Sequence, residues 1–500
     1  MLKDKEKSIL EFQGRILDLV SLPDTPVLEK INFLEIVKSN LEEFISVRLQ
    51  RIDSINEENA IIKITELFMR MGLLLEGIND QYGIEEITPS VNIYSVIKHK
   101  GFRNIYSGEN DVTKILNLDQ VSGVKKKPIV ESVIYSDTVP KVAAIYKISC
   151  PKNVLLLNMY REKYEEAGHT ERFDKHMQYT KISSYYTLLQ KQDFLIRNPY
   201  EPYQHILDFI DEMCTHSKIH SIFITLYRLA KESEIINSLI KAKKMGKAVY
   251  VYVEPSARGD EESNLNNITR LLEEGVNVST SYFKYKVHCK IFCAVDESNR
   301  KYVHIGTGNY NEDTAKIYTD CHLLTTRKNI VNDALNSILH LFKKELSPIS
   351  QQNKLFVAPL QLRYMIIRMI RQETMKGDRG IILLKCNNLY DTEIISALYE
   401  AADNDVRIRI ICRTACGILP KKNMVIRSKV GKYLEHDRVY IFGNHTFISS
   451  ADLMTRNLSK RMEILCEIQS YKMKLISIFM SVWYSKNIHQ LTSDGLWELV

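Results

Sequence analysis

The sequence predicts a multidomain α/β protein: an N-terminal helical domain over 1–72, a small α+β domain over 73–192, and two copies of one α/β domain over 193–347 and 348–500. Three observations carry this. The N-terminal stretch repeats apolar residues at helical steps. From Phe194 onward, β-type runs alternate with amphipathic helices, the signature of a parallel or mixed sheet with helical cover. After Gly380 the same order of runs recurs, with a histidine and an arginine in matching places.

Taken in order, residues from about Asp4 to Met71 read as helix. In INFLEIVKSNLEEFISVRLQRI, Leu34, Val37, Leu41, Phe44, Ile45 and Ile52 form one buried stripe. Asn40 inside that stripe is either a boundary position facing solvent or a functional group. The second domain mixes short strand-like runs (ITPSVNIYSVI, VAAIYKI, NVLLLNMY) with charged connections. In the first α/β copy, SIFITLY is a strand and Ile235, Ile236, Leu239 and Ile240 mark a helix that stops near Gly246. Strand AVYVYVE follows, then a helix ending at Gly275, then VNVSTSYF. The second copy runs GIILLKCN, a helix from Thr392 to Ala402, RIRIICR, LEHDRVYIFG and TFISSADLMTRN. Laid over the first, it aligns Arg413 with Arg258, His436 with His288, and Ser449-Ser450-Ala451-Asp452 with Gly306-Thr307-Gly308-Asn309. MEILCEI, a helix from Tyr471 to Tyr484 and SDGLWELV close the chain.

The chemistry concentrates between Tyr285 and Thr326. There HCKIFCAV places His288 and Lys290 on one face of a predicted strand. KYVHIG then runs into the GTGN turn, whose missing side chains let backbone N–H groups approach an anion. An imidazole, an ammonium and a glycine turn together suit phosphate. H-x-K alone would read as a structural strand histidine; the turn downstream favours a site. His304 reads as a residue that hydrogen-bonds the turn.

These residues resemble half of a phospholipase D-type site, and more closely the polyphosphate kinases of the first type, a branch of that superfamily. His304, Gly306, Thr307, Gly308, Asn309, Tyr310, Asn311, Thr314, Ala315, Tyr318, Thr319 and Asp320 fit that family's HxGTGN(Y/F)N…TA…(L/I)YTD block. The resemblance implies an N-terminal helical domain, a head domain (here shortened) and two duplicated phospholipase D-like α/β domains. It further implies reversible transfer of the ATP γ-phosphate to inorganic polyphosphate, with ATP/ADP and polyphosphate as partners. His288 would become a phosphohistidine, with His436 facing it as acid/base or stabiliser. Asn40, Tyr318, Arg413, His436 and Arg461 would contact substrate or nucleotide, and Arg228 and Arg258 would meet Mg2+ through phosphates. The resemblance leaves room for a homo-oligomer. A neutral imidazole is a competent nucleophile at pH 7, its ordinary pKa being about 6.5. Guanidinium forks suit phosphate oxygens.

The chain departs from the family at Phe223-Ile224, where the family has Lys-Gln, and at Asn198-Pro199-Tyr200, where it has HPY. The second motif, His436-Asp437-Arg438, lacks the lysine of H-x-K, and Asp296 falls one residue late for a phosphodiesterase. Those two features argue against the alternative of a phospholipase D-like phosphodiesterase. Phe223 and Ile224 are the support for the other alternative, a catalytically impaired polyphosphate-binding protein. No P-loop or dinucleotide fingerprint is present.

Lys and Arg outnumber Asp and Glu by 68 to 61, giving +7, a balance that tolerates a polyanion without demanding one. Nucleic acid is not expected. The nine cysteines lack zinc-type C-x2-C spacing and read as buried thiols of a reducing compartment. With no leader-like N-terminus and no apolar run approaching ~18 residues, the chain is expected to be cytoplasmic, a location compatible with peripheral membrane association.

Overall fold

The computed structural model describes residues 5–45, 54–82, 91–99, 102–108, 114–116, 144–151, 154, 157–167, 179–227, 233–254, 261–280, 285–343 and 354–500. They fall into two compact units, Asp4–Lys175 and His176–Val500.

The first unit begins with helices α1 (Lys5–Val20), α2 (Val27–Glu43) and α3 (Ser54–Tyr82). Their predicted stripe is buried: Leu34, Val37 and Leu41 from α2, with Leu17 and Phe68 from its neighbours. Arg70 ties α3 to α1 through Asp18 Oδ1 at 2.6 Å and the Gly14 carbonyl. The 72/73 boundary falls inside α3, because Leu75 and Ile78 continue the apolar spacing past Met71. A four-stranded antiparallel sheet follows, β1 (Val91–His99), β2 (Phe102–Gly108), β3 (Lys114–Leu116) and β4 (Ala144–Pro151), in the order β3-β2-β1-β4. NVLLLNMY, expected as a strand, instead leads into helix α4 (Leu157–Glu166). Val154, Leu157, Tyr160 and Tyr164 are its buried positions, a three-to-four spacing that a short apolar run conceals.

The second unit opens with a single turn of helix, α5 (Tyr185–Leu188), packed on the first α/β half rather than grouped with the inserted domain as expected. Tyr186 donates to Asp296 and Thr326 to the Leu189 carbonyl. The half proper comprises β5 (Phe194–Asn198), α6 (Gln204–Thr215), β6 (Ile219–Leu226), α7 (Glu234–Lys244), β7 (Ala248–Val253), α8 (Glu261–Glu273), β8 (Asn277–Ser279), β9 (Lys286–Val287), β10 (Lys290–Asp296), β11 (Lys301–Gly306), β12 (Tyr318–Thr325) and α9 (Lys328–Lys343). Strands β6, β7 and β8 are parallel; β10 pairs antiparallel with β6, and β11 and β12 follow, each antiparallel to its neighbour. Helix α7 ends as expected before Gly246, whose φ of 80° suits a residue without Cβ.

The second half repeats the plan with β13 (Leu355–Ala358), α10 (Leu362–Thr374), β14 (Ile381–Leu389), α11 (Thr392–Asp403), β15 (Arg407–Cys416), β16 (Met424–Lys429), β17 (Leu434–Glu435), β18 (Arg438–Phe442), β19 (His445–Ser449), α12 (Thr455–Lys460), β20 (Arg461–Glu467), α13 (Lys472–Trp483), β21 (Ile488–Leu491) and β22 (Trp497–Leu499). Again three parallel strands, β14-β15-β16, are extended by antiparallel β18, β19 and β20.

Period-2 alternation divides each sheet between two cores. Ile291, Cys293, Val303 and Ile305 of the first half join Val439, Ile441, Ile448 and Ile464 of the second in one shared core with α9 and α13. Phe292 and Ala294 face α6 and α7 on one side, and Leu384 and Tyr440 face α10 and α11 on the other. Each half also lends the other a short strand. Lys286 and Val287 pair with Arg461 and Met462, and Leu434 and Glu435 pair with Tyr318 and Thr319. The eight cysteines from Cys214 to Cys466 are buried thiols that form no disulfide. Among the described residues no helix is long and apolar enough to cross a membrane.

Candidate active site

His288 and His436 follow directly on the two lent strands. The chain therefore does not run as one strand through His288 and Lys290, as expected, but breaks between β9 and β10 where it passes from one sheet to the other. The same break separates β17 from β18 around His436. Each ring is thereby delivered to a carboxylate of the opposite half. His288 Nδ1 lies 2.9 Å from Glu463, and His436 Nδ1 lies 2.8 Å from Asp320 Oδ1. These carboxylates are equivalent, each placed two residues after the start of the strand that accepts the lent pair. Both are held from behind in the same way. Thr307 donates to Asp320 at 2.6 Å, and Ser450 donates to Glu463 at 2.6 Å. With Nδ1–H given to a carboxylate, the free lone pair of each ring is on Nε2.

The cations are paired in the same fashion. Lys290 donates to the His288 carbonyl, and Arg438 donates to the His436 carbonyl at 2.7 Å, so Arg438 fills the place of the lysine missing from the second motif. Burial depresses the His288 pKa well below the ordinary value, and Lys290, Arg461, Arg438 and His436 push it further the same way. His436 is lowered to about 4, chiefly by burial and with a contribution from Arg438, against the pull of Asp320. Both rings are therefore neutral at pH 7. Burial also lowers Lys290 to about 7 and raises Glu463 to about 7.

Of the residues singled out in the sequence, Tyr318, Arg413 and Arg461 gather around the two histidines. The Tyr318 ring lies 5.1 Å from that of His436. Arg413 donates to the Glu435 carbonyl at 3.2 Å, and burial lowers its pKa. Arg461 stands 3.9 Å from Glu463. Asn40 belongs to the other compact unit, where its amide donates to Gln13 at 3.0 Å. Arg228 and Arg258 lie outside the described residues. Phe223 and Ile224 are core positions of β6: Phe223 stacks on Tyr250 with centroids 4.9 Å apart, and Ile224 is fully buried. His304 is buried in a chain of hydrogen bonds running from Tyr310 through His304 and His322 to Asn198. Asn198 in turn donates to the Ala315 and Tyr318 carbonyls at 2.9 Å, so this chain supports the Tyr318 end of the site.

Sequence reasoning passed over Glu463, Arg438 and the buried charges behind His436. There Lys385 pairs with Glu435 at 2.7 Å and with Asp437, and Arg197 lies 3.4 Å from each carboxylate. The signal available for Glu463 was the alignment of MEILCEI over TDCHLLT, which places Glu463 at the position of Asp320.

Family models described as the polyphosphate kinase N-terminal domain, C-terminal domain 1 and C-terminal domain 2 match residues 2–81, 184–348 and 355–500. A polyphosphate kinase of Campylobacter jejuni subsp. doylei is 38% identical over 333 residues, which cover 63% of this chain and 47% of that protein. One of Staphylococcus epidermidis is 39% identical over 319 residues, covering 60% and 43%. The matched stretch thus spans about half the length of these curated relatives or less. The crystal structure of a polyphosphate kinase from Porphyromonas gingivalis superposes with a TM-score of 0.73 at 22% identity, over 99% of this chain and 95% of that one, a likeness of fold.

Proposed function

Because this chain belongs to the polyphosphate kinase family, we propose that it moves the γ-phosphoryl group of ATP reversibly onto inorganic polyphosphate through a phosphohistidine at His288. The observation that carries this reading is the His288–Glu463 pair: a neutral, buried imidazole whose Nδ1–H is held by a carboxylate. Its Nε2 lone pair attacks the γ-phosphorus, the bond to the β,γ-bridging oxygen breaks, and ADP leaves with that electron pair. The charge that develops on the ring is met by Glu463 through the Nδ1 proton. Transfer onward to the terminal oxygen of a polyphosphate chain reverses the same motions.

His436, neutral at pH 7, serves as a hydrogen-bonding and proton-accepting partner rather than as a standing acid. Lys290, Arg438, Arg461 and Arg413 supply the positive field that phosphoryl transfer requires. Tyr318 borders His436, where it would meet the nucleotide, and Asn40 is assigned to the nucleotide on the resemblance alone. Mg2+, when bound, would supply counter-charge to the phosphates of the nucleotide. An arginine has no lone pair to offer a metal, so Arg228 and Arg258 would meet it only through phosphate. Among the described residues, no three His, Cys, Asp or Glu side chains group to hold one.

The test is uptake of label from γ-labelled ATP with Mg2+. The protein should take an acid-labile, base-stable label that His288→Ala cannot. Labelling of His288→Ala to the same extent would overturn the assignment.

A further inference from the structure

The first half carries a buried polar chain that the second does without. Asn198, His322, His304 and Tyr310 are joined end to end, at 2.6, 2.9 and 2.6 Å. By strand register, and by counting on from Gly306 and Ser449, the matching residues of the second half are Ala358, Leu465, Phe447 and Leu453. All four are buried in one apolar core. The same fold is thus built with hydrocarbon in these places, without the desolvation that buried polar groups cost. The glycine of the first half belongs to the same difference: a Cβ on Gly306 would stand 3.0 Å from both the His304 and the His322 ring, where the second half accommodates Ser449.

The chain runs in one direction. Asn198 Nδ2 donates to the Ala315 and Tyr318 carbonyls, so its Oδ1 is left to accept from His322 Nε2. His322 Nδ1 then accepts from His304 Nε2, and His304 Nδ1 accepts from the Tyr310 hydroxyl. Both rings are satisfied on both nitrogens while neutral, and burial lowers the pKa of each. What the chain delivers is a fixed amide with two donors, aimed at the backbone that leads into β12. In the second half the six-residue helix α12 runs up to Arg461, the residue matching Tyr318, and its turns bond to themselves. The first half has only the 3-10 turn Thr314–Lys316 in that place, and the carbonyls at the end of so short a turn must be met from outside.

We propose that Asn198 is a positioning residue for the nucleotide: held by His322, His304 and Tyr310, it fixes the backbone at Ala315 and Tyr318 and so sets the Tyr318 ring where the nucleotide meets it. The inference rests on the reading of Tyr318 as a nucleotide contact given above, and adds what holds that contact in place.

The experiment measures the dissociation constant for ADP, titrated into the full chain without polyphosphate, together with KM and kcat for ATP formation from ADP and polyphosphate. Asn198→Asp keeps the acceptor for His322 and removes both donors. It should weaken ADP binding at least tenfold and raise KM for ADP by the same factor, with kcat falling less than threefold. Asn198→His, with a single N–H to give, should recover part of the loss. Because the amide acts through Tyr318, adding Asn198→Asp to Tyr318→Ala should weaken ADP less than twofold further. A fall in kcat with ADP affinity unaltered, or a full tenfold loss persisting in the Tyr318→Ala background, overturns the proposal. Weaker ADP binding by Tyr318→Ala beside an unaltered Asn198→Asp overturns this inference alone; unaltered binding by Tyr318→Ala overturns the Tyr318 contact and this inference with it. Should Asn198→Asp fail to fold, Asn198→Ala decides by the same criteria, alanine being what the second half carries at Ala358. Failure of both to fold overturns the proposal, since the amide then serves the fold.

Discussion

Individual side chains here hold their protonation states through burial more than through pairing. Glu463 is raised and Lys290 lowered, each to about 7 and each chiefly because its charged form is taken out of water, while each pulls the other partway back. Attack by His288 needs Glu463 ionised, to accept Nδ1–H, and Lys290 charged, to receive phosphate. Raising the pH through about 7 creates the first condition and then removes the second. The second-order labelling rate of the free protein should therefore trace a narrow bell with its maximum near neutrality. Glu463→Gln should erase the acid limb, and Lys290→Arg, whose charge persists to about pH 12 or beyond, should erase the alkaline one. A profile flat between about pH 6 and 8 would count against these assignments.

Elements decide which of these side chains meet. In the GTGN turn, a Cβ on Gly308 would collide with the Asp320 carboxylate, so the turn can pass beneath that carboxylate only as glycine. Gly308→Ala should displace Asp320 from His436 and from Thr307, and a shift of that kind typically costs about 10²-fold in rate, readable as a fall in kcat/KM with the fold retained. Much at this scale was legible in the sequence. The strand–helix alternation, the helix stops at Gly246 and Gly275, and the matching of His288 to His436 all follow from periodicity and turn chemistry. The strand break at His288 was not legible, because a lent strand of two residues such as Lys286-Val287 has no periodicity of its own and its partner lies far along the chain. Nor was the helix containing Leu157, whose short apolar run fits either period. Glu463 carries no signal of its own within MEILCEI until the opposite half is set against it.

Over the whole of the 176–500 unit, the two halves are joined by a shared apolar core and by a buried set of charges. Lys385, only 1% exposed, compensates Glu435 and Asp437, with Arg197 reaching across from the first half. Lys385→Met would keep the volume and strand the carboxylates, a change that typically costs roughly 3–5 kcal/mol; the measurement is the denaturant midpoint of the full chain. An unchanged midpoint would mean that Arg197 alone suffices. The carboxyl of Asp437 is held far below its ordinary range despite burial, first by Lys385 and then by Arg197. Its contribution to stability is therefore present above the unfolded-state pKa of about 4 and is lost as the solution is acidified below that.

The reciprocal loan of Lys286-Val287 and Leu434-Glu435 has a consequence for ancestry. A single repeat expressed alone would carry its imidazole on an unpaired tail and present a vacant sheet edge to solvent. Before fusion, therefore, such a repeat could have worked only as a symmetric homodimer with its strands exchanged across the dyad.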